Sequence, residues 1–205
     1  MKKRNEGFSL VELIIAIAIM AILASAIGVS VIRYIQKARA SAALEEARLI
    51  VNAAQHALAE VTTKDVDYNT NKTFVKADGT TIAAGAITNK MMATAQTDDT
   101  YADTNSDYSD YLVARVVLDN LLSSKDDADV NYLQFNGQAQ DPIGRNCESF
   151  ANTYGCPGFI LVYDSEGMVV MFEYYAHKAL IHYENSEFVH SEEDSFIPNT
   201  KLVIN

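Results

Sequence analysis

A run of 25 residues near the amino terminus, from Phe8 to Ile32, carries a single charge, Glu12. An apolar helix of about 20 residues is long enough to cross a lipid bilayer. Residues 1–7 precede this run and include three basic side chains. A basic start before an apolar run is typical of a secretory signal, but the apolar core of such a signal has only about 7 to 15 residues. The length of the run therefore predicts a membrane helix that is retained.

The rest of the chain is strongly acidic. The whole sequence of 205 residues has a formal net charge of −11, and residues 1–7 contribute +2, so the other 198 residues carry −13. A surface of this sign repels nucleic-acid phosphates and anionic lipid head groups. We therefore expect no nucleic acid among the partners of this part of the chain.

The single charge of the apolar run needs an explanation. An acidic residue at the centre of a membrane helix costs about 2.5 to 3.5 kcal/mol. Glu12 lies near the start of the run, and it follows Ser9 with the Ser-x-x-Glu spacing of a capping box. In such a box the Glu carboxylate accepts a backbone N–H at the helix start. One explanation of Glu12 is therefore purely local.

The segment from Gly7 to Glu12 resembles the amino terminus of the type IV pilins and of their relatives, the pseudopilins. The matching features are a short basic leader that ends in Gly7, the aromatic Phe8, Glu12 four positions later and the uninterrupted apolar residues that follow. The resemblance covers about the first 35 residues. It implies a class III signal peptide, cleavage between Gly7 and Phe8 by a prepilin peptidase, and N-methylation of Phe8.

The same resemblance implies a role in assembly for Glu12. Its carboxylate would pair with the Phe8 amine of a neighbouring subunit, which removes the cost of two unpaired charges in a low-dielectric core. The implied partners are further copies of the chain, the prepilin peptidase and N-methyltransferase, an inner-membrane assembly platform, a cytoplasmic assembly ATPase, minor pilins, and membrane lipid before assembly. The expected location is the cytoplasmic membrane, with the carboxy-terminal domain outside, and then the extracellular filament.

Residues 8–60 predict one long helix, because they contain no proline and only one glycine, Gly28. Residues 8–32 would form the membrane and filament-core part of this helix, and residues 33–60 an amphipathic part. Many relatives carry a proline beside the position of Gly28, so whether the helix unwinds there on assembly is left open. Apolar residues spaced alternately by four and three favour packing on the protein's own sheet over a coiled coil. These residues are Ala40, Leu44, Ala47, Val51, Ala54, Leu58 and Val61.

Three further cations, Arg33, Lys37 and Arg39, follow the apolar run. They equal in number the Lys and Arg residues before it, so the positive-inside rule gives no orientation. Two interpretations stay open for them. They contact acidic surfaces of neighbouring subunits in a filament, or they form a solvated collar.

Residues 61–128 predict a connecting loop, with a hairpin around Asp78-Gly79 and a second helix across Ser109 to Ser123. Residues 129–205 predict a small antiparallel sheet, because short segments rich in β-branched and aromatic residues alternate with turns. The expected fold is α+β and type IV pilin-like, with the long amino-terminal helix packed on this sheet. The predicted strands are Val130 to Phe135, Phe159 to Tyr163, Met168 to Tyr174, Ala179 to Tyr183 and Lys201 to Ile204.

The two cysteines, Cys147 and Cys156, lie nine positions apart in a stretch that contains Gly and Pro. No second Cys pair and no nearby His completes a zinc site, so a disulfide is favoured. Disulfides persist outside the cytosol, which agrees with an exported domain. Such a bridge would staple the carboxy-terminal loop, as in many type IV pilins.

Metal binding and catalysis have weak sequence support. Asp103-x-Asn105-x-Asp107 imitates the start of a calcium-binding EF-hand loop, but Tyr108 replaces the turn glycine and Ala114 stands where a bidentate Glu is required. No nucleophile elbow, phosphate loop, zinc motif or dinucleotide fingerprint is present. We therefore expect no enzyme activity and no cofactor.

The sequence thus favours a structural pilin subunit of a type IV pilus, which serves adhesion, motility or other surface interactions. A minor pilin or a pseudopilin of a type II secretion or competence system shares every amino-terminal feature. A membrane-anchored extracellular binding domain that never polymerises is the alternative from another class.

Overall fold

The computed structural model describes residues 9–64, 67–68, 70–76, 78–97, 105, 108–122, 147–191 and 201–204. The chain divides into two units, Met1–Ala38 and Arg39–Asn205. Helix α1, Leu10–Thr62, contributes residues to both units. Its 53 residues confirm the prediction of one long helix, and α1 continues through Gly28.

In the second unit, seven strands form one sheet in the order β6-β5-β4-β3-β2-β1-β7. All six pairings between neighbouring strands are antiparallel. A long helix beside an antiparallel sheet is the α+β arrangement expected for a pilin-like fold. The strands are β1 Lys72–Val75, β2 Thr81–Thr88, β3 Gly158–Asp164, β4 Val169–Ala176, β5 Ala179–Glu184, β6 Glu187–Ser191 and β7 Lys201–Ile204.

Three shorter helices belong to the same unit: α2 Asn89–Thr97, α3 Tyr108–Leu122 and α4 Cys147–Tyr154. Alternate residues of β3 belong to two different apolar clusters, and successive side chains of a strand point to opposite faces. Leu161 lies in the larger cluster and Val162 in the smaller, so each face of the sheet carries a core. Helix α4 adds Cys147 to the smaller cluster.

The amphipathic part of α1 packs into the larger core. Its alanine-rich stripe is buried as predicted, with Leu44 half-buried. The polar residue Gln55 also ties α1 to the turn between β3 and β4. Its amide donates to the Gly167 carbonyl (3.0 Å) and accepts the Val169 N–H (3.2 Å). These contacts confirm the prediction that this part of α1 packs on the protein's own sheet.

The two hairpins at the β6 side of the sheet close with two-residue turns. His177 and Lys178 connect β4 to β5, and Asn185 and Ser186 connect β5 to β6. All four residues have positive φ values, between 52° and 65°. Two central residues with positive φ are required by the type I′ turn, whose twist matches that of the strands.

The prediction of a connecting loop over residues 61–107 is wrong for much of its length. The hairpin around Asp78-Gly79 is present, but β2 continues to Thr88 and α2 follows it directly. In β2 the Tyr163 ring packs against Gly85, where an added Cβ would lie 2.2 Å from the ring carbon Cζ. Composition alone suggested a loop, whereas packing requires small side chains in a strand.

The remaining strand and helix predictions are confirmed to within two residues at each end for α3, β3, β4, β5 and β7. Strand β6 and helices α2 and α4 were not predicted. The predicted strand at Val130 to Phe135 lies outside the described residues.

Candidate functional site

Helix α1 begins with a reciprocal capping box. The Ser9 N–H donates to Glu12 Oε2 (2.9 Å), and the Glu12 N–H donates to Ser9 Oγ (3.3 Å). Both bonds satisfy backbone donors that have no partner inside the helix. The carboxylate also lies in the first turn, where the helix dipole favours a negative charge. In the single chain, therefore, Glu12 caps its own helix.

An exposed apolar surface follows the cap. Among the described residues, α1 is the one helix long and apolar enough to cross a membrane by length and composition, and the 18-residue window that meets this test, with mean hydropathy 2.7, has no buried residue. Large apolar side chains that a water-soluble protein would bury are more than 40% exposed. They include Leu10, Val11, Leu13, Ile14, Ile15, Ile17, Ile19, Met20, Ile22, Leu23, Ile27, Val31, Ile32 and Ile35.

Gly28 interrupts neither the helix nor its exposed surface. A Cβ added there would meet nothing within 4 Å, so no contact in the single chain requires glycine. Nearby, the Ser25 hydroxyl donates to the Ile22 carbonyl (2.7 Å), a bond that often accompanies slight helix bending. Helix α1 is therefore continuous through Ser25 and Gly28 in the single chain.

The leader cleavage residues Gly7 and Phe8 lie outside the described residues, as do Asp103 and Asp107 of the weak calcium candidate. Asn105 is described and is exposed at a bend. Within the described ranges, no group of three or more His, Cys, Asp or Glu side chains is arranged to hold a metal ion.

The expected disulfide is not shown. Cys147 and Cys156 are separate, buried thiols. Instead of an irregular loop, the stretch contains helix α4, which begins at Cys147 itself and ends at Tyr154. Helix α4 was not predicted from the sequence, and the chain that follows Cys156 returns to its start, where Gly158 packs against the Cys147 backbone.

Both thiols are in surroundings that keep them protonated. Burial raises the pKa of Cys147 well above its ordinary value, and the neighbouring Glu173 carboxylate raises it further. Burial also raises the pKa of Cys156, which lines a pocket of about 340 Å³ with Tyr175 and His177. Reactive cysteines have lowered pKa values. The arrangement suits two structural thiols.

A buried polar cluster links three elements of the second unit. The Lys72 ammonium of β1 donates to Asp110 Oδ2 on α3 (2.7 Å), and the Tyr163 hydroxyl of β3 donates to Asp110 Oδ1. The Asp110 side chain is fully buried, and that of Lys72 is 13% exposed. Burial and the nearby carboxylate raise the pKa of Tyr163. Sequence reasoning missed this cluster, since its residues are far apart in the chain.

A second polar contact joins α1 to the end of β4. Glu46 accepts a hydrogen bond from the Tyr174 hydroxyl (2.8 Å), and its other oxygen lies 2.8 Å from His177 Nε2. The other histidines are exposed (His56 and His190) or buried beside Glu184 (His182). These positions agree with packing and solvent contact as the roles of the histidines.

Comparison with known proteins identifies the amino-terminal segment. Residues 2–28 match the family model described as the prokaryotic N-terminal methylation motif. Searches of curated proteins and of solved structures gave no significant match. The matched segment contains the leader, the Ser9–Glu12 cap and most of the exposed apolar surface. The chain carries the class III signal peptide of type IV pilins, and this motif marks it as a pilin-like prepilin.

Proposed function

We propose that the protein is a structural subunit of a type IV pilus filament and has no catalytic activity. The observation that carries this proposal is that the methylation motif continues into the exposed apolar segment of α1, residues 10–32, whose one charge, Glu12, lies near its start. A chain with this surface needs an apolar environment, either lipid or neighbouring copies of the same helix. Polymerisation surrounds this helix with neighbouring copies of itself.

Maturation begins at the leader. A prepilin peptidase hydrolyses the peptide bond between Gly7 and Phe8, and water supplies one oxygen of the Gly7 carboxylate and the two protons that convert the Phe8 amide nitrogen to an ammonium. The associated N-methyltransferase then methylates this amine. Before assembly residues 8–32 lie in the cytoplasmic membrane with the second unit outside. An inner-membrane platform powered by a cytoplasmic ATPase then adds the subunit, with minor pilins, to the extracellular filament.

In this proposal Glu12 has two successive partners. In the single chain its carboxylate accepts the Ser9 N–H, a cap worth about 1 kcal/mol. On assembly the same carboxylate pairs with the Phe8 ammonium of a neighbouring copy, in a core where an unpaired charge is far more costly. The exchange favours subunits in the correct register. Glu12 then fixes the register of neighbouring subunits and has no catalytic role.

A Glu12→Gln variant tests this role, with Ser9→Ala as its matched control. Glu12→Gln keeps a side-chain oxygen that can accept the Ser9 N–H and removes the negative charge, whereas Ser9→Ala removes the capping hydroxyl and keeps the charge. We expect normal processing of both variants and a large loss of filaments for Glu12→Gln alone. Equal filament yields for Glu12→Gln and the wild type would contradict the charge pairing.

The filament proposal itself is tested by shearing producing cells and measuring the amino-terminal mass of the released material. We expect abundant fibres whose chain begins at Phe8, with one additional methyl group. A processed chain absent from fibres would support a minor pilin or a secretion or competence pseudopilin. A chain that stays in the membrane and begins at Met1 would support the non-polymerising binding domain. Adhesion and motility are then tested on fibre-deficient cells.

A further inference from the structure

Three cations immediately follow the apolar segment of α1: Arg33, Lys37 and Arg39, called here the basic collar. All three residues are exposed. In the part of the chain that the structure describes, none of them belongs to an ion pair. Four cations of residues 40–205 do have a carboxylate within 4 Å in the same chain. These are Arg48, Lys64, Lys72 and Arg115.

The helix itself offers the collar no partner. Side chains three or four positions apart are neighbours on a helix, and the closest acidic residues along α1, Glu12 and Glu45, are 21 and six positions away. Arg33 and Lys37 are instead four positions apart, where like charges destabilise a helix. Repulsion between these two cations therefore destabilises α1, and no ion pair among the described residues of the single chain offsets it.

Anchoring in the membrane does not account for the collar. Cations flanking a membrane helix favour the cytoplasmic side, whereas this collar belongs to the outer side in the proposed orientation. Removal of residues 1–7 also removes the three cations that balance it. A helix that served only as an anchor would insert more readily without Arg33 and Lys37.

A partner of complementary charge is present in every copy of the chain. Residues 40–205 contain 25 acidic and 10 basic side chains, a formal net charge of −15. Among the described residues, four acidic side chains are exposed and belong to no ion pair: Asp67, Asp78, Glu166 and Glu187. Domains of such charge repel each other when they are packed together. A cation placed between them reduces this repulsion and selects orientation.

We propose that the basic collar binds the acidic surface formed by residues 40–205 of a neighbouring copy in the filament. This inference rests on the proposed pilus function, since only polymerisation brings many copies into contact. The collar of one subunit then fixes the position of the next domain, while the apolar segment supplies most of the attraction. Specificity of position comes from charge, and affinity comes from apolar burial.

A matched pair of double variants tests the proposal in the full chain. R33Q/K37Q removes two exposed cations of α1, and K90Q/K178Q removes two exposed cations of the second unit, so the net charge changes equally. We expect both variants to be inserted and processed to Phe8. Loss of two ion pairs per subunit should lower the yield of sheared filaments about tenfold for R33Q/K37Q. The control should keep the wild-type yield.

Three outcomes would overturn the inference. R33Q/K37Q could assemble as well as the control, which would leave the pilus function intact and make the collar a solvated surface. R33Q/K37Q could instead disappear from the membrane before processing, which would assign the collar to lipid head groups. A wild-type chain that forms no filaments would remove the proposed function together with this inference.

A carbodiimide, which joins an ammonium to an adjacent carboxylate, provides a direct measurement on sheared filaments. We expect covalent dimers in which Lys37 is linked to an acidic residue between positions 40 and 205. A Lys37→Arg variant keeps the charge but lacks the reactive amine, so its filaments should form normally and lose this dimer. Wild-type filaments without a dimer through Lys37 would contradict the inference.

Discussion

Replacing Asp110 by Asn should strongly destabilise the second unit, because it breaks a buried ion pair from one side. The Asp110 carboxylate is fully buried and accepts hydrogen bonds from Lys72 Nζ, at 2.7 Å, and from the Tyr163 hydroxyl. Asn keeps the size of the side chain but removes the charge. Its amide also presents donor hydrogens where both neighbours donate.

The expected magnitude follows from burial. Removing one partner of a buried pair costs about 3 to 5 kcal/mol, since the other charge is left without compensation. Lys72 is 13% exposed and keeps some contact with water, so we expect the lower end, about 3 kcal/mol. Native domains are stable by about 5 to 15 kcal/mol, and the variant should therefore fold with reduced stability.

The assay is urea unfolding of the full chain in detergent, followed by near-ultraviolet circular dichroism of its tyrosines. Asp119→Asn is the matched control, because Asp119 lies 3.8 Å from Arg115 and its side chain is 63% exposed. Exposed pairs contribute about 0 to 1 kcal/mol. A double variant, D110N/K72M, should regain part of the loss. A loss below about 1 kcal/mol for Asp110→Asn, equal to the control, would refute the reasoning.

Three further predictions concern single positions of the second unit. Gly85→Ala should lower the free energy of unfolding by about 1 to 3 kcal/mol, because its Cβ would overlap the Tyr163 ring; an unchanged urea midpoint would contradict this packing. Ser186→Gly should raise the same free energy by about 0.4 to 1 kcal/mol, because Ser186 has φ 65° in an Asn-Ser turn, and a lower melting temperature would count against the type I′ assignment. The raised pKa of Cys147 means that the folded state favours the neutral thiol. The contribution of this thiol to the free energy of unfolding is therefore complete at lower pH and is lost as pH rises above about 8.5. Alkylation followed by mass measurement should modify Cys147 only after unfolding, and a chain that takes up no label even in urea would instead contain the disulfide.

Local signals predicted the parts of the fold that depend on local order. The absence of proline gave the continuous helix α1, the Ser9 to Glu12 spacing gave its cap, and Asp78-Gly79 gave the first hairpin. Each of these features forms from residues within a few positions of each other. Periodicity also predicted the buried face of α1, since burial recurs at helical spacing.

The elements that the sequence did not predict depend on contacts between distant residues. Helix α2 has a weakly apolar composition and is fixed by burial of Met92 in the core and by Asn89, whose side chain bonds the backbone of Pro157 and Phe159. Tertiary contacts of this kind override intrinsic propensity. Strand β6 is short and half-exposed, so its pattern is weak.

Residues of the candidate site that are close together in the chain were predictable, and a cluster of residues far apart in the chain was not. Glu12 and the apolar surface belong to one contiguous segment, and the family comparison matches that segment. The cluster of Lys72, Asp110 and Tyr163 spans 91 positions and has no local pattern. The disulfide expectation relied on cysteine spacing, on the absence of zinc ligands and on the resemblance, none of which indicates that a helix begins at Cys147.

The central claim is that the amino-terminal helix of this chain forms the core of a filament. Electron cryomicroscopy of the sheared fibres measures this most directly. We predict density for α1 from Phe8 to Ile32 at the fibre axis, with the Glu12 carboxylate within hydrogen-bonding distance of a neighbouring Phe8 amine and the acidic domains outside. Fibres built from another protein, or fibres of this chain in which residues 8–32 lie at the surface, would contradict the claim.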